Sequence, residues 1–145
     1  MRAKLLNEHG EATYALIFET GEEVVSGLTG FAESQNLTAS RITAIGAFSD
    51  VILGYFDWDK KDYRRIPLRE QVEVLSLLGD VALDGSKPKL HVHAVLGLAD
   101  GNTRGGHLLE AHVRPTLEVI LTESPGYLKR EHDPESGLAL IRIDR

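Results

Sequence analysis

The feature that most constrains the fold of this chain is a series of short strand-like segments separated by turn signals, with only one segment of helical period. Ala12–Thr20 is rich in aromatic and β-branched residues and is bounded by glycines, which predicts a strand. The next segment, Glu22–Asn36, has apolar residues at three- and four-residue spacing. This spacing predicts an amphipathic helix with Glu22 and Glu23 in its first turn and a stop near Asn36.

The rest of the chain returns to apolar and β-branched strand patterns. Residues 39–57 predict two strands that are broken or bulged near Gly46–Asp50. Further strands are predicted at Val72–Leu78, Val81–Leu83, Leu90–Leu98, Thr116–Glu123 and Leu138–Ile143. Because strands dominate and turn signals recur at regular spacing, we expect one α+β domain over residues 1–145. It would be built mainly on an antiparallel β-sheet flanked by a few helices.

Composition narrows the class of protein further. The chain has 145 residues, 42% of them hydrophobic, and a formal net charge of −6. This fits a soluble globular domain, and it disfavours binding to DNA phosphates, which needs basic surface. The densest basic cluster, Lys60, Lys61, Arg64 and Arg65, is interrupted by acidic residues and predicts a solvated loop. No apolar run reaches membrane-spanning length and no signal-peptide pattern opens the chain, so we expect a cytoplasmic protein.

Four of the six histidines lie close together in the sequence. They are His91, His93, His107 and His112. Residues i and i+2 of a strand share a face, so His91 and His93 would point to the same side, with Val92 and Ala94 toward the interior. A three-residue loop at Asp100–Asn102 would bring His107 to that side as well. A two-residue turn at Asp100–Gly101 would turn His107 away.

Three neutral imidazoles on one face can bind a divalent metal such as zinc and leave a fourth position open. With no cysteine in the chain, thiolate ligands are excluded. The alternative is three structural histidines that hydrogen-bond to backbone or carboxylate groups. Gly105 and Gly106 would allow close backbone approach near the site. His112 has the opposite parity and is expected at the surface or as a cap, and Glu110 as a surface charge or an acceptor behind His107.

Several segments together resemble the PPC domain (plants and prokaryotes conserved). They are GEEV (Gly21–Val24), ITAIGAFSDVILGYFD (Ile42–Asp57), VEVLSLLGDV (Val72–Val81), LHVHA (Leu90–Ala94), DGNTRGGHL (Asp100–Leu108) and VRPTLEVIL (Val113–Leu121). The resemblance covers about residues 12–145, and its most specific part is the H-x-H…G-G-H-L combination.

The resemblance implies an antiparallel sheet flanked by helices, a homotrimer, and a zinc-like divalent metal on His91, His93 and His107, which match H-x-H…G-G-H. It also implies that the domain stands alone, as in bacteria and archaea, whereas plant members add DNA-binding AT-hooks. This sequence lacks an AT-hook. Gln71 and Val72 replace the Arg and Phe of the plant segment used in partner contact.

Three functions remain open. The first is a trimeric metal-binding domain that takes a small-molecule ligand at the metal and has no defined reaction. The second is a metal-dependent hydrolase or lyase, in which metal-bound water supplies hydroxide and Glu110, Glu118 or Glu73 acts as general base. The third is a DNA-associated regulatory protein like the plant relatives, with nucleic acid disfavoured by the acidic balance of the chain.

Overall fold

The computed structural model describes residues 1–7 and 10–143, and within them the chain forms nine strands and one helix. The strands are β1 (Arg2–Asn7), β2 (Ala12–Glu19), β3 (Ala39–Asp57), β4 (Asp62–Leu68), β5 (Val72–Asp84), β6 (Lys87–Gly97), β7 (Thr103–Glu123), β8 (Lys129–His132) and β9 (Ala139–Arg142). The helix is α1 (Val24–Ser34).

All nine strands belong to one sheet. Its main path is β1-β2-β7-β3-β5-β8-β9, with β4 beside β3 and β6 paired with both β5 and β7. Because β3 also pairs with both β5 and β7, the four strands β3, β5, β6 and β7 close into a ring. Every pairing is antiparallel except that of β5 with β8. The prediction of a mainly antiparallel sheet is therefore confirmed, although the sheet is mixed.

The prediction of a few flanking helices is wrong, since the described part of the chain contains only α1. The ring of strands explains why one helix is enough. A sheet that curls onto itself covers much of its own apolar face, and the helix adds its buried residues to the same core. Those residues are Val24, Leu28, Phe31 and Ala32.

Strand β3 is longer than the sequence pattern predicted. Residues 39–57 form the single strand β3 rather than two strands, and register shifts between Ala44 and Asp50 agree with the predicted bulge. At Gly46, where φ is 155°, an added Cβ would lie 2.2 Å from the carbonyl oxygen of Thr116 on β7. A side chain there would push β3 and β7 apart, so glycine lets the two strands stay paired through the bulge.

Helix α1 begins at Val24, so the prediction that Glu22 and Glu23 lie in its first turn is wrong. Glu23 is its N-cap residue, and the carboxylate accepts hydrogen bonds from the backbone N–H groups of Val25 and Ser26. These bonds satisfy donors that have no partner inside the helix. The helix ends at Ser34, and Asn36 follows with a φ of 53°, the left-handed conformation expected just after a helix C-terminus.

One patch on the outer face of the ring is apolar and exposed. Ile45, Leu75, Leu78 and Ile120 keep 59%, 52%, 57% and 45% of their surface accessible and line one shallow cavity. We call these four residues the apolar patch. Alternate residues of the same strands, such as Leu77 and Val119, point into the core and are fully buried.

The two glycines inside α1 should respond in opposite ways to alanine. At Gly27 an added Cβ would lie 2.5 Å from the buried ring of Phe18, whereas at Gly30 it would meet nothing within 4 Å. We expect Gly30→Ala to stabilise the protein by about 0.5–1 kcal/mol through helix propensity. Gly27→Ala should be less stable than the wild type, because overpacking a core costs about 1–3 kcal/mol. Urea denaturation of both variants measures this, and equal shifts of the same sign would contradict the packing role of Gly27.

Candidate metal centre

The turn between β6 and β7 sets the register on which the site depends. The N–H of Leu98 donates to the carbonyl of Asn102 (2.8 Å), and the N–H of Gly101 donates to the carbonyl of Leu98 (2.9 Å). Ala99–Gly101 is thus a three-residue loop whose last residue has a φ of 83°, the hairpin type that ends in a left-handed glycine. The loop lies one residue earlier than predicted but keeps the predicted parity. His93 and His107 are direct cross-strand partners.

The three predicted histidines meet on the outer face of the ring. Nε2 of His91 lies 3.1 Å from Nε2 of His93. One ring nitrogen of each of His91, His93 and His107 lies within 4.8 Å of the other two. On the opposite face Val92 and Ala94 are each only 2% exposed, as predicted from the alternation of the strand.

Burial favours the neutral form of the His91 and His107 imidazoles, which is the form that binds metals. Desolvation lowers the pKa of His91, an effect opposed by the negative charge of Asp80 and reinforced by the nearby His93 and Arg130. Desolvation lowers the pKa of His107 to about 4, with further contributions from the neighbouring His91 and His93. At neutral pH His91 and His107 therefore carry free lone pairs, and protons do not compete with a metal there.

The donor set fits a divalent transition metal. At Zn–N distances of about 2.0–2.1 Å, two ligand nitrogens lie about 3.3 Å apart. Nε2 of His91 and Nε2 of His93 are 3.1 Å apart, and a ring nitrogen of His107 lies within 4.8 Å of the other two ligand atoms. Nδ1 of His107 is buried and has no hydrogen-bond partner in the described part of the chain. A set of three imidazoles with an open position matches the ligand pattern of zinc and similar ions.

Two residues that sequence reasoning missed complete the surroundings of the cluster. Asp80 pairs with His91 across β5 and β6, and its Oδ2 lies 3.9 Å from His91 Nδ1, behind the ring. The distance is longer than a hydrogen bond, so Asp80 acts on His91 through its charge, which opposes the desolvation of the ring. Tyr63 of β4 stacks on His107 with ring centroids 4.5 Å apart. It can do so because Gly54, the partner of His107 on β3, has no Cβ, which would lie 2.8 Å from the tyrosine ring.

The glycines beside His107 serve close strand approach. A Cβ on Gly106 would lie 2.8 Å from the carbonyl oxygen of Gly54, and one on Gly105 would lie 3.3 Å from the carbonyl oxygen of Ala94. The predicted role of the glycine pair in close backbone approach is confirmed. The double glycine therefore positions His107 through the backbone.

The other titratable residues singled out in the sequence lie outside the histidine cluster. His112 pairs with Asp50 (Nδ1–Oδ1 2.8 Å) in a partly exposed position, and this hydrogen bond raises its pKa. Oε2 of Glu110 lies 3.5 Å from Nη2 of Arg65. Glu110 also lines a groove beside α1. Glu73 and Glu118 line a cavity next to the apolar patch. None of these three carboxylates lines the cavity beside His91 and His107.

The fold and the cluster define a curled β-sheet domain with a three-histidine centre on its outer face, and the family comparison agrees with that class. The family model "Plants and Prokaryotes Conserved (PCC) domain" matches residues 6–125. The chain belongs to this family, whose members are also called PPC proteins. The described residues contain no helix long and apolar enough to cross a membrane.

The curated relatives that this chain matches are much longer proteins. The chain is 32% identical over 135 residues to the bifunctional protein GlmU of Synechococcus sp. (strain JA-3-3Ab), covering 91% of this chain and 20% of that protein. The chain thus spans about a fifth of the length of the curated relatives it matches.

Three solved structures share the fold over nearly the whole chain. A plant- and prokaryote-conserved protein from Pyrococcus horikoshii matches with a TM-score of 0.85 at 32% identity, covering 99% of this chain and 96% of its own. A metal-containing protein from Archaeoglobus fulgidus matches with a TM-score of 0.83 at 34% identity (98% and 97%). A proposed DNA-binding protein from Ralstonia eutropha JMP134 matches with a TM-score of 0.83 at 26% identity (90% and 91%).

Proposed function

We propose that this protein is a homotrimeric metal-binding domain whose His91, His93 and His107 hold a divalent ion, most closely matching zinc. The observation that carries the proposal is the convergence of three imidazole nitrogens within 4.8 Å on one face. The metal-containing relative from Archaeoglobus fulgidus, 34% identical, supports it. The cytoplasmic location of the protein described here stays a prediction.

A metal held by three histidines would supply a Lewis-acidic centre with an open position for water or a small ligand. Two neighbouring side chains would surround the metal-binding imidazoles. Asp80 lies behind His91, and Tyr63 covers one face of His107. The carboxylates considered as general bases, Glu73, Glu110 and Glu118, line other cavities. The arrangement therefore supports metal binding better than hydrolysis or lysis by a carboxylate-assisted mechanism.

Removing one ligand should remove the metal. We expect the wild type to retain about one ion per chain after purification without chelator, and His93→Ala to retain almost none, because two imidazoles hold a divalent ion far less tightly than three. Elemental analysis by mass spectrometry measures the stoichiometry. His112→Ala is the matched control, since His112 lies outside the cluster and should leave the metal content unchanged. Equal metal content in His93→Ala and the wild type would show that the ion lies elsewhere.

The apolar patch supports the homotrimer. Four large apolar side chains side by side on an exposed sheet face favour burial against another subunit. The number three is the stoichiometry implied by the family resemblance. A charge placed in the middle of such an interface would be desolvated without a partner, which is strongly unfavourable.

We therefore expect the wild type to run as a trimer and Ile120→Glu to shift toward the monomer. Size-exclusion chromatography with light scattering gives the mass of each. Ile143→Glu is the control, because Ile143 is 74% exposed and lies outside the patch. A wild type that is monomeric at micromolar concentration would contradict the assembly.

A second candidate is DNA association, favoured by the description of the Ralstonia eutropha relative. The β3–β4 hairpin presents cations on aromatic rings. Lys61 Nζ lies 3.7 Å from the ring centroid of Trp58, and the guanidinium of Arg64 lies 5.3 Å from that of Tyr55. Cations and exposed aromatic rings occur together at sites that bind single-stranded nucleic acids.

With a net charge of −6, we expect duplex binding no tighter than the nonspecific range of about 10⁻⁴–10⁻⁶ M at physiological salt. Fluorescence anisotropy across a salt series tests this, with Lys61→Glu as the variant. Tight, steeply salt-sensitive binding that Lys61→Glu abolishes would place DNA association ahead of metal binding.

A further inference from the structure

A cavity of about 210 Å³ lies directly beside the histidine cluster. His91, His107 and Tyr63 form one side of it, and the β8–β9 region forms the other. It is smaller than the pockets of about 300 Å³ and above that hold drug-sized ligands. Its size therefore suits a molecule of a few carbon atoms.

The wall of this cavity carries two cations. Arg130 and Lys89 line it, and no acidic residue does so within the described part of the chain. Lys89 pairs with Asp84 at 2.8 Å, and Arg130 pairs with Asp80. Both carboxylates lie outside the lining, so the charged side chains that line the cavity are the two cations.

Of the two cations, Arg130 is the stronger indication of an anion site, because it is buried. Its side chain is only 5% exposed. Its guanidinium donates one bond to the carbonyl of Ala139 (3.2 Å) and one to Asp80, and Nε has no hydrogen-bond partner in the described part of the chain. A guanidinium has five N–H donors, and a buried donor without an acceptor is unfavourable. An anion in the cavity, after a small rotation of the side chain, would supply the missing acceptor.

The remaining lining is hydrocarbon. Leu90, Leu138, Ala139 and Leu140 form the apolar part of the wall. An inorganic anion would leave this surface in contact with water, whereas an aliphatic acid would cover it. A planar guanidinium also matches the geometry of a carboxylate.

We propose that this cavity binds a small aliphatic carboxylate, with the carboxylate on Arg130 and the hydrocarbon chain against the leucines. The inference goes beyond metal binding, because the carboxylate would be held by the Arg130 guanidinium and the leucine side chains, not by a metal ion. It places an organic-acid site beside His91 and His107 of the histidine cluster.

Titration of the purified protein with acetate, propionate and butyrate at constant ionic strength tests the proposal by calorimetry. We expect affinity to rise about fourfold for each added CH₂ until the cavity is full. Butyramide, which has the same shape without the charge, should bind at least tenfold more weakly, and inorganic phosphate should bind more weakly than butyrate. In ¹H–¹⁵N spectra the Arg130 Nε–H resonance, assigned by its loss in Arg130→Lys, should shift on adding butyrate.

Leu138→Trp fills the cavity while leaving Arg130 and the histidines in place, and should abolish butyrate binding with unchanged metal content. Leu140→Trp repeats the test if Leu138→Trp does not fold. Leu5→Trp, on the distant strand β1, should bind butyrate like the wild type. Butyrate binding that survives both cavity-filling variants, equal binding of butyramide, or no binding at all would overturn the proposal.

Metal content is measured on the same samples. Failure of the metal site would appear as absent metal with carboxylate binding retained, and failure of the carboxylate site as retained metal without carboxylate binding.

Discussion

The pairing of β6 with β7 is the interaction on which the rest of the site depends. His93 faces His107 because the loop between the strands has three residues and Gly101 can adopt a positive φ. A shift of the register by one residue would turn His107 into the core and an apolar residue outward. Burial of Val92, Ala94 and Leu108 on the inner face opposes such a shift. The hydrophobic core thus fixes the positions of polar residues that it does not contain.

The partial burial of the histidine cluster balances the protonation state of the rings against the access of a ligand. His91 and His107 are half-buried, which favours the neutral form of their rings, while His93 is exposed and leaves the cluster open to solvent. Full burial would prevent ligand exchange, and full exposure would leave the rings protonated over more of the pH range. Asp80 joins this cluster to Arg130, because it faces the His91 ring and also pairs with the guanidinium. The histidine cluster and the Arg130 guanidinium therefore share the carboxylate of Asp80.

Local patterns predicted much of this structure, and long-range pairings account for most of what they missed. The helix and the face shared by the three histidines follow from spacing and turn chemistry within short segments. The lengths of β3 and β7 do not, because each is extended by pairing with strands distant in sequence. The same applies to Arg130, which reaches the site from β8 through a parallel pairing with β5. Asp80 could have been found, since the two-residue turn at Gly85–Ser86 fixes the register that puts it opposite His91.

Leu78 of the apolar patch lies directly opposite His93 across β5 and β6. The patch and the histidine cluster are thus neighbouring parts of one surface. A subunit seated on the patch would change the solvation of His93, and an ion on His93 would change the surface offered to that subunit. Ion occupancy and subunit association would then be thermodynamically linked, so each would strengthen or weaken the other by the same factor.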